Sequence, residues 1–421
     1  MWRICVCDEK NSRLNRPGRL AKYLWYIAGA VFIIEAGSFF CWDTPYFMVA
    51  GAGTLPATMN KWFFVAIITC AYAGALAISS RIVSLPLCRR MASVFLGVSS
   101  SFLFFIILIF VLRLYYSRSF LVIAFAASSF WLYAGQRLFF STDQRRYGFT
   151  PGSIIQDLKN QWRGNFVEIT TPGSVEAFDV MVISPNQDRP LPPEWTRYVT
   201  NRMIQGAPVV HPETLYEFTF GRLPLDYMAG GPGVVIRPHR VYFFLKYICD
   251  WVMLILFGVP AILAIGVISL AILCFSGRPI FFIQERIGKN GAPFHMVKFR
   301  SMTKAGEITA IGRLLRKRRL DELPQIWNVL RGEMSLIGPR PETPELTRQY
   351  TEQIPFYQYR YSILPGITGW AQVNYGYASK ISENKIKLSY DLYYVKYASL
   401  LLDILIVFKT IKTILIGFGS K

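Results

Sequence analysis

Charged side chains are scarce in this 421-residue sequence, where they make up 17% of the residues against 52% for hydrophobic ones. Soluble domains carry about 25% charged residues, so the deficit argues against an ordinary soluble protein and predicts a membrane protein. Acidic residues are the scarcer kind, which leaves a formal net charge of +20. This excess favours anionic partners such as phosphates and acidic headgroups. Because much of the apolar surface must face lipid, we expect no nucleic-acid partner.

Histidine and cysteine are few and dispersed. The three histidines, His211, His239 and His295, lie far apart in sequence and do not suggest a histidine-based metal site. Cys5 and Cys7 have no second pair to complete a zinc site, and we interpret all seven cysteines as structural thiols. No GxGxxG motif follows a predicted strand, which leaves a dinucleotide site unsupported. The first apolar stretch is too long for a cleavable signal peptide and lacks a small-residue cleavage site.

Four apolar segments fill the first third of the chain, at roughly 22–41, 62–80, 93–112 and 119–136. Each approaches the roughly 20 residues that cross about 30 Å of hydrocarbon. Basic residues precede the first segment, separate the second from the third and follow the fourth, whereas the loop 42–60 has none. The positive-inside rule therefore places the N-terminus and residue 145 onward in the cytoplasm. Arg113 and Arg118 in the short third loop are an exception to the pattern.

Residues 150–225 alternate between short strand-like and helix-like segments. "FVEIT", "FDVMVIS" and "APVV" are typical of strands, whereas "PPEWTRYVTNRMIQ" and "PETLYEFTF" are typical of helices. The alternation predicts a small α/β domain with a parallel sheet. The "GGPG" that follows at Gly230 to Gly233 predicts a linker. The chain then divides into a membrane region (1–145), an α/β domain (146–228) and a C-terminal domain (229–421).

The apolar segment from Trp251 to Phe275 has basic residues on both sides, so the positive-inside rule places both of its ends in the cytoplasm. Pro260 lies inside it, where a proline removes a backbone hydrogen bond and costs about 3 kcal/mol in a straight helix. These features predict a re-entrant helix over about 248–276, broken at Pro260, that enters the membrane and returns on the same side. A fifth crossing that tolerates the proline is the alternative.

The last apolar segment, "YASLLLDILIVFKTIKTILIGFG", contains three charged residues, Asp403, Lys409 and Lys412. Charges at these positions predict a helix that lies in the membrane interface instead of crossing the bilayer. A helix buried in the C-terminal domain explains the same pattern equally well, so both alternatives stand.

Residues 278–395 hold the densest polar pattern. "RPIFFIQERIGKNGAPFHMVKFRSM" predicts two strands joined by a hairpin loop near Lys289 to Gly291. "IGRLLRKRRLDELPQIWNVLRGEMSLIGPRPE" then predicts a basic helix, the adjacent carboxylates Asp321 and Glu322, a second helix and a turn with Arg340 between two prolines.

The acidic pair has two interpretations. Asp321 at a helix N-cap, followed by Glu322 and a proline in the first turn, would accept backbone N–H bonds and suit the helix dipole. Alternatively, neighbouring helical residues point about 100° apart, so one carboxylate can attack phosphorus while the other holds a metal. Basic residues would then screen the repulsion between a carboxylate and a diphosphate. The helix start and the basic run "RKRR" are expected to keep Asp321 ionised.

Residues from about Arg240 to the C-terminus resemble the bacterial sugar transferase family, the polyprenyl-phosphate phosphoglycosyl transferases of the monotopic type. The matching pieces are "FFIQERIG", "VKFRSM", "IGRLLRKRRLDELPQIWNVLRGEMSLIGPRP", "PGITGWAQV" and "YDLYYV". Four spans and a middle domain make the architecture similar to the large subfamily. The resemblance implies an α plus α/β membrane protein with a Rossmann-like middle domain. Its α/β catalytic domain would carry the re-entrant helix and interfacial helices on the cytoplasmic face of the bacterial inner membrane.

Such enzymes move a sugar 1-phosphate from a nucleotide diphosphate sugar to a polyprenyl phosphate. The resemblance implies UDP-glucose or UDP-galactose as donor, undecaprenyl phosphate as acceptor and release of UMP. This is the first membrane step of exopolysaccharide, capsule or O-antigen synthesis. The implied partners are therefore the UDP-sugar, undecaprenyl phosphate and membrane lipid, and the resemblance leaves room for a homo-oligomer.

The family's motifs also carry implied roles for residues of this chain. Asp321 would be the nucleophile that forms a phosphosugar–aspartyl intermediate, and Glu322 would bind Mg²⁺. The implied active-site cations are Lys298, Arg316 and Arg340. Arg300 is a further candidate for binding phosphate, because its charge could screen the diphosphate. Further candidate site residues are Gln372 in "PGITGWAQV" and Asp391 in "YDLYYV".

The sequence departs from the family pattern in two places. Val259 stands before the helix-breaking proline where many members have Ser, and "VNYGY" (Val373 to Tyr377) lacks an Arg that many members carry. A subset associated with exopolysaccharide synthesis resembles this "YGY" form.

A non-catalytic membrane scaffold or regulator is the alternative function, but it would need the acidic pair or its cations to be missing. A CDP-alcohol-type phosphotransferase would need spaced aspartates in the membrane segments, which the first four lack.

Overall fold

The computed structural model describes residues 19–42, 55–82, 90–114, 116–139, 146–150, 153–162, 164–172, 178–183, 192–227, 240–303, 305–376 and 380–416. By their contacts the residues form two compact units, Met1–Phe220 and Gly221–Lys421. The predicted linker "GGPG" and the predicted boundary after residue 228 lie outside the described residues. So do many of the basic residues on which the predicted sidedness rests, including Arg13, Arg16, Arg89, Arg145 and Arg237.

The N-terminal unit begins with four long helices, one on each predicted apolar segment. Their bounds are α1 Arg19–Trp42, α2 Leu55–Ile82, α3 Arg90–Val111 and α4 Arg118–Phe139. Within the described residues, four helical stretches are long and apolar enough to cross a membrane: Phe63–Arg81, Ser93–Val111, Arg118–Phe139 and Val241–Ser276. The first predicted span, in α1, is not among these four, whereas the long helix of the C-terminal unit is. The chain is therefore a membrane protein, as the shortage of charged residues predicts.

These helices pack through aromatic rings and through side chains that bond to neighbouring backbone. Trp25 of α1 and Trp131 of α4 stack with ring centroids 4.5 Å apart, and the Trp131 indole N–H donates to the Trp25 carbonyl at 2.9 Å. The Ser101 hydroxyl of α3 donates to the Ala71 carbonyl of α2 at 2.7 Å. Such bonds satisfy polar groups where the bilayer offers no water.

A small α/β region follows in the same unit. Its elements are β1 Arg146–Phe149, α5 Ser153–Gln161, β2 Asn165–Glu168, β3 Val180–Val182, α6 Pro193–Ile204, β4 Val209–Val210 and α7 Pro212–Phe220. The strands form a parallel sheet in the order β2-β1-β3-β4, which confirms the parallel α/β prediction. Strand β1 and helix α5 were not predicted, because "RYGF" is short and shows no alternation. The Rossmann-like assignment stays a prediction.

The C-terminal unit contains the long apolar helix and a compact set of short elements. Their bounds are α8 Arg240–Ser276, β5 Phe281–Ile287, β6 Pro293–Phe299, α9 Ala310–Lys317, α10 Ile326–Leu330, β7 Ser335–Ile337, α11 Pro344–Gln353, β8 Gly366–Thr368, α12 Trp370–Asn374, α13 Ile381–Tyr397 and α14 Leu400–Ile416. Strands β5 and β6 form the predicted antiparallel hairpin around Lys289–Gly291. Strands β7 and β8 pair in parallel.

Helix α8 is continuous through Pro260, whereas the sequence predicted a break there. A proline removes only one ladder bond, and a helix can continue past it with a bend. Both halves of α8 contact the same unit: Leu254 packs with the core of β6 and α10, and Ile272 packs with Phe299 and Leu315. The re-entrant course is not decided by these contacts and stays a prediction.

The final helix, α14, buries one face in the C-terminal unit. Its Asp403 carboxylate accepts hydrogen bonds from the Tyr242 hydroxyl at 2.8 Å, the Tyr394 hydroxyl at 2.7 Å and the Lys246 ammonium at 3.2 Å. This cluster fastens the start of α8 to α14. Because the opposite face exposes Ile411, α14 combines features of both predicted alternatives.

Candidate active site

Asp321 and Glu322 lie in a short 3₁₀ helix, Leu320–Gln325, between α9 and α10. Arg319 ends the preceding helical turn in a left-handed conformation (φ 54°). Asp321 is therefore the second residue of the helix instead of its N-cap. The N-cap prediction is wrong in this detail, although the pair does lie in the first turn of the helical segment.

Glu322 is the centre of a cationic cluster. Its Oε1 lies 2.7 Å from Arg340 Nη2 and 3.8 Å from Lys298 Nζ, and its Oε2 lies 4.0 Å from Arg319 Nη1. The Glu322 side chain is 9% exposed and that of Lys298 15%. Hairpin strand β6 supplies Lys298 and the turn after β7 supplies Arg340, so residues distant in sequence converge on one carboxylate.

The cluster shifts the pKa values of its members. Burial opposes ionisation of Glu322, but the charges of Arg340 and Lys298 and the Arg340 hydrogen bond together lower its pKa to about 2. Burial, reinforced by neighbouring Arg340, lowers the pKa of Lys298 to about 8. Glu322 is thus ionised at every physiological pH, whereas Lys298 titrates just above neutrality.

Asp321 behaves differently from Glu322. Burial and the charge of Glu322 raise its pKa above the ordinary value, and they outweigh the opposing effects of Lys298 and Arg340. The sequence predicted the opposite direction from the helix start and from the run "RKRR". The reasons are local: the 3₁₀ helix is short, and Lys317 and Arg318 of the run are exposed.

The turn that carries Arg340 depends on close backbone contact between β7 and β8. A Cβ on Gly366 would come within 2.0 Å of the Gly338 nitrogen, and a Cβ on Gly369 within 2.1 Å of the Gly338 oxygen. Only glycine fits at such distances. This explains the glycines in "GPRP" and "PGITG" as packing requirements that bring the Arg340 turn beside Glu322.

A second buried network, of charged residues, contacts the turn that carries Arg340. Arg360 Nη2 lies 2.8 Å from Asp391 Oδ2 and also donates to the Arg340 carbonyl at 2.8 Å. Arg360 Nη1 lies 3.7 Å from Glu342 Oε1, which lies 2.9 Å from Lys387 Nζ. Burial disfavours the Glu342 carboxylate, but Lys387 and Arg360 lower its pKa to about 2.

Arg286 of β5 joins this network. Its Nη1 donates to the Pro341 carbonyl at 3.1 Å and lies 3.7 Å from Glu342 Oε2. Sequence analysis selected Asp391 but missed Arg360, Glu342 and Arg286. The signal available was a lone arginine within the tyrosine-rich "YQYRYS" and a glutamate directly after "PRP".

The other two predicted phosphate-binding residues are Arg300 and Arg316, and their surroundings differ from those of Lys298 and Arg340. The Arg300 guanidinium donates to the Gly277 and Arg278 carbonyls at 2.9 Å and to the Ser276 carbonyl. It therefore caps the C-terminal end of α8, which is a structural role in this state. Arg316 is half-buried in the last turn of α9.

Gln372 lies on the short helix α12 and donates to the Ile367 carbonyl at 3.1 Å. Its Oε1 is buried and has no hydrogen-bond partner among the described residues. Gln372 and Glu322 line the same cavity, so the structure brings this predicted residue to the acidic pair.

The residues present are compatible with one Mg²⁺ ligand from the protein. No cluster of three or more histidine, cysteine or acidic side chains able to hold a metal occurs in the described part of the chain. Mg²⁺ usually takes only one or two carboxylates, with phosphate oxygens and water completing its shell. The ionised Glu322 fits such a ligand, and its Oε2 lies 4.0 Å from Arg319 Nη1.

Comparisons with known proteins agree with this geometry. The family model "Bacterial sugar transferase" matches residues 241–417, which include the whole cluster. The "UDP-N-acetylgalactosamine-undecaprenyl-phosphate N-acetylgalactosaminephosphotransferase" of Aeromonas hydrophila is 37% identical over 338 residues, 74% of this chain and 77% of that protein.

Two further relatives match only the C-terminal part. The "UDP-glucose:undecaprenyl-phosphate glucose-1-phosphate transferase" of Xanthomonas campestris pv. campestris is 41% identical over 167 residues, 36% of this chain and 34% of that protein. The protein of the same name from Escherichia coli (strain K12) is 39% identical over 169 residues, 37% of this chain and 36% of that protein. The match that spans most of both chains shows that this protein belongs to the bacterial sugar transferase family.

Proposed function

We propose that this protein transfers a sugar 1-phosphate from a UDP-sugar to undecaprenyl phosphate. The observation that carries the proposal is the buried cluster of Lys298, Arg340 and Glu322 beside Asp321. A carboxylate attacks a diphosphate only where cations offset the repulsion, and the two cations supply that charge from a desolvated position. The relatives named above act on UDP-sugars and undecaprenyl phosphate.

The proposed reaction has two displacements at phosphorus. An Asp321 carboxylate oxygen attacks the phosphorus that bears the sugar, the bond from that phosphorus to the bridging oxygen breaks, and UMP leaves with the electron pair. A phosphate oxygen of undecaprenyl phosphate then attacks the same phosphorus, and the bond to Asp321 breaks to regenerate the carboxylate. Splitting one displacement into two is the usual advantage of covalent catalysis. Arg340 and Lys298 stabilise the phosphate oxygens in both steps.

Mg²⁺ is the proposed cofactor, with Glu322 as its protein ligand. When bound, it would neutralise phosphate oxygens of the donor. Arg340 and Lys298 hold the Glu322 carboxylate ionised and fixed in place, which preserves it as a ligand. Asp321 is left with the raised pKa described above, so burial makes it a stronger base and a better nucleophile once ionised.

The donor sugar is a separate part of the proposal. The resemblance suggests UDP-glucose or UDP-galactose, whereas the relative that covers most of the chain is named for N-acetylgalactosamine. We therefore propose a UDP-hexose donor, and a panel that includes UDP-N-acetylgalactosamine would identify it. The catalysed step would be the first membrane step of exopolysaccharide, capsule or O-antigen synthesis.

The proposed location is the bacterial inner membrane with the C-terminal unit on the cytoplasmic face. The re-entrant course of α8 is supported by the contacts of both its halves with that unit and by the exposed apolar middle, where Val259 is 67% and Ile262 68% exposed. Cysteine labelling from outside the cell tests it: labelling near Lys289 with none near Arg240 would contradict the re-entrant course. Pro260→Ala is expected to mislocate or inactivate the domain.

Asp321→Asn tests the chemistry. Asn keeps the size of the side chain and its hydrogen-bonding capacity but cannot act as the nucleophile, so UMP release should fall on the order of 10⁴-fold or more in a folded protein. No phosphosugar adduct should be trapped on the variant. Near-wild-type UMP release from purified Asp321→Asn would end the covalent mechanism. A wild-type protein inactive with every UDP-sugar would instead favour the scaffold alternative.

A further inference from the structure

A small apolar cavity adjoins the acidic pair. Its volume is about 210 Å³. One end is charged, because Arg319 and Glu322 line it. The rest of the wall is mainly aliphatic and comes from the 3₁₀ helix, α10, β7, β8, α12 and α14, with lining residues that include Leu323, Ile326, Leu336, Ile367, Val373 and Ile414.

The size and lining of the cavity limit what can occupy it. Pockets for drug-sized ligands measure about 300–1,000 Å³, so a whole nucleotide sugar does not fit. An engineered apolar cavity of about 150 Å³ takes up benzene. By that measure this cavity holds on the order of one or two five-carbon units. The described lining contains no aromatic ring on which a nucleobase could stack, and its neutral polar residues are Thr368, Gln372, Thr410 and Thr413.

The location of the cavity indicates how a ligand in it would be oriented. Ile414 on α14 lines the cavity and is 37% exposed, so the lining reaches the protein surface at this apolar helix. Glu322 also lines the cavity, and its partners Arg340 and Lys298 are the cations of the proposed phosphate site. A ligand that fills the cavity thus has an aliphatic chain and an anionic head next to it.

We propose that this cavity binds the first one or two isoprene units of the polyprenyl phosphate acceptor, next to its phosphate. The inference rests on the proposed function and names where that acceptor's chain lies. Burial of these units would fix the acceptor phosphate beside Asp321, and the remaining chain would leave past Ile414 toward lipid. Acceptor selection then depends on the units nearest the phosphate.

The test compares two exposed isoleucines of α14. Ile414 lines the cavity, whereas Ile411 lies one turn earlier, is 49% exposed and is outside the lining. Ile414→Trp should raise the KM for undecaprenyl phosphate about tenfold, the loss expected when roughly two methylene groups are no longer buried. The KM for the UDP-sugar should not change, and Ile411→Trp should resemble the wild type in both. Farnesyl phosphate should show the same rise, because it contains the units nearest the phosphate.

A binding measurement separates this inference from the proposed function. Farnesyl phosphate should raise the Tm of the full-length protein and of Ile411→Trp in detergent, but not that of Ile414→Trp, and inorganic phosphate should have a smaller effect. This pattern supports the acceptor site even if no UDP-sugar is turned over. A shift equal in all three proteins overturns the site.

Gln372 provides the contrasting variant. If the cavity held a nucleobase, Gln372→Leu would raise the KM for the UDP-sugar, since it removes the buried Oε1. If the cavity holds isoprene units, Gln372→Leu should leave the binding of farnesyl phosphate equal or tighter.

Two results with the isoleucine variants contradict the proposal. One is a rise in the KM for the UDP-sugar in Ile414→Trp, and the other is a rise in the KM for undecaprenyl phosphate that Ile411→Trp also shows.

Discussion

The two compact units solve the problem of buried polar groups in different ways. In the membrane helices of Met1–Phe220, contacts such as Ser101 to the Ala71 carbonyl join a neutral donor to backbone. In Gly221–Lys421, full charges are buried in pairs, as in Glu322–Arg340 and Arg360–Asp391. Neutral contacts hold helices together at low cost, whereas buried charges are expensive unless every member keeps its partner. In the proposed function, the Glu322–Arg340 pair lies where the phosphate would be bound, which gives a reason for the second unit to retain buried charge.

Among changes to the buried charge pairs, the largest loss of activity is expected when the cation closest to Glu322, Arg340, is removed. Arg340→Ala should lower transfer by about 10²–10³-fold, the loss typical of removing one preorganised electrostatic group. Arg318→Ala is the control, because Arg318 is an exposed arginine of the same unit. Both variants should be compared in UMP release at saturating donor. Similar activity in the two would show that the 2.7 Å contact with Glu322 does not serve catalysis.

Two variants separate the effect of the Arg360–Asp391 pair on stability from its effect on the position of the Arg340 turn. Arg360→Met leaves Asp391 buried without its 2.8 Å partner, so the free energy of unfolding should fall by about 3–5 kcal/mol. Activity should fall by about 10–100-fold, as when outer partners of a site are lost. Replacing both residues, as Arg360→Met with Asp391→Leu, should restore much of the stability, measured as Tm.

Activity distinguishes the two roles in the double variant. If Arg360 positions the turn through its bond to the Arg340 carbonyl, kcat stays low although the Tm has recovered. Recovery of kcat together with Tm would mean that the pair is only structural.

The pH dependence of transfer tests whether the charge on Lys298 is required. Its pKa of about 8 means that the positive charge is present below pH 8 and lost as the pH rises through that value. Transfer should therefore fall about tenfold between pH 7 and pH 9, in line with the protonated fraction. Lys298→Arg keeps its charge because guanidinium does not deprotonate in this range, so its alkaline limb should disappear. An unchanged limb in that variant would assign it to another group.

The acid side of the profile should reflect Asp321. Because burial and Glu322 raise its pKa, this proposed nucleophile gains its proton at a higher pH than an ordinary aspartate. Activity should fall with decreasing pH from that point. Glu322, with a pKa of about 2, does not contribute to this limb.

Removing the N-terminal unit should have the smallest effect on the chemistry. A shortened chain that begins at Phe220 is expected to retain transfer within about threefold in detergent or lipid, because the proposed catalytic residues lie in the second unit. A chain that begins near Pro238 should also be active but less stable by about 1–3 kcal/mol, since the Trp370 indole loses the Gly221 carbonyl that it binds at 2.7 Å. Complete loss of transfer in a folded shortened chain would show that the first unit contributes to the site.

Local patterns predicted much of this molecule. The apolar segments became α1–α4 and α8, and "FFIQERIG" with "VKFRSM" became the β5–β6 hairpin around Asn290 and Gly291. Lys298, Glu322 and Arg340 were selected from motifs and converge as expected. Strand β1 was not predicted, because a strand of four residues is specified by its neighbours in the sheet more than by its own sequence.

The membrane character, most of the helices and strands, and the residue types available for phosphate chemistry could be predicted from length, periodicity and charge along the chain. Which charges meet depends on the tertiary structure. It placed Arg300 on the end of α8 instead of in the cluster, put Arg360 behind the Arg340 turn, and raised the pKa of Asp321 where the sequence predicted a decrease. The physical reason is that electrostatic energies depend on distance and burial, which side chains far apart in sequence set together.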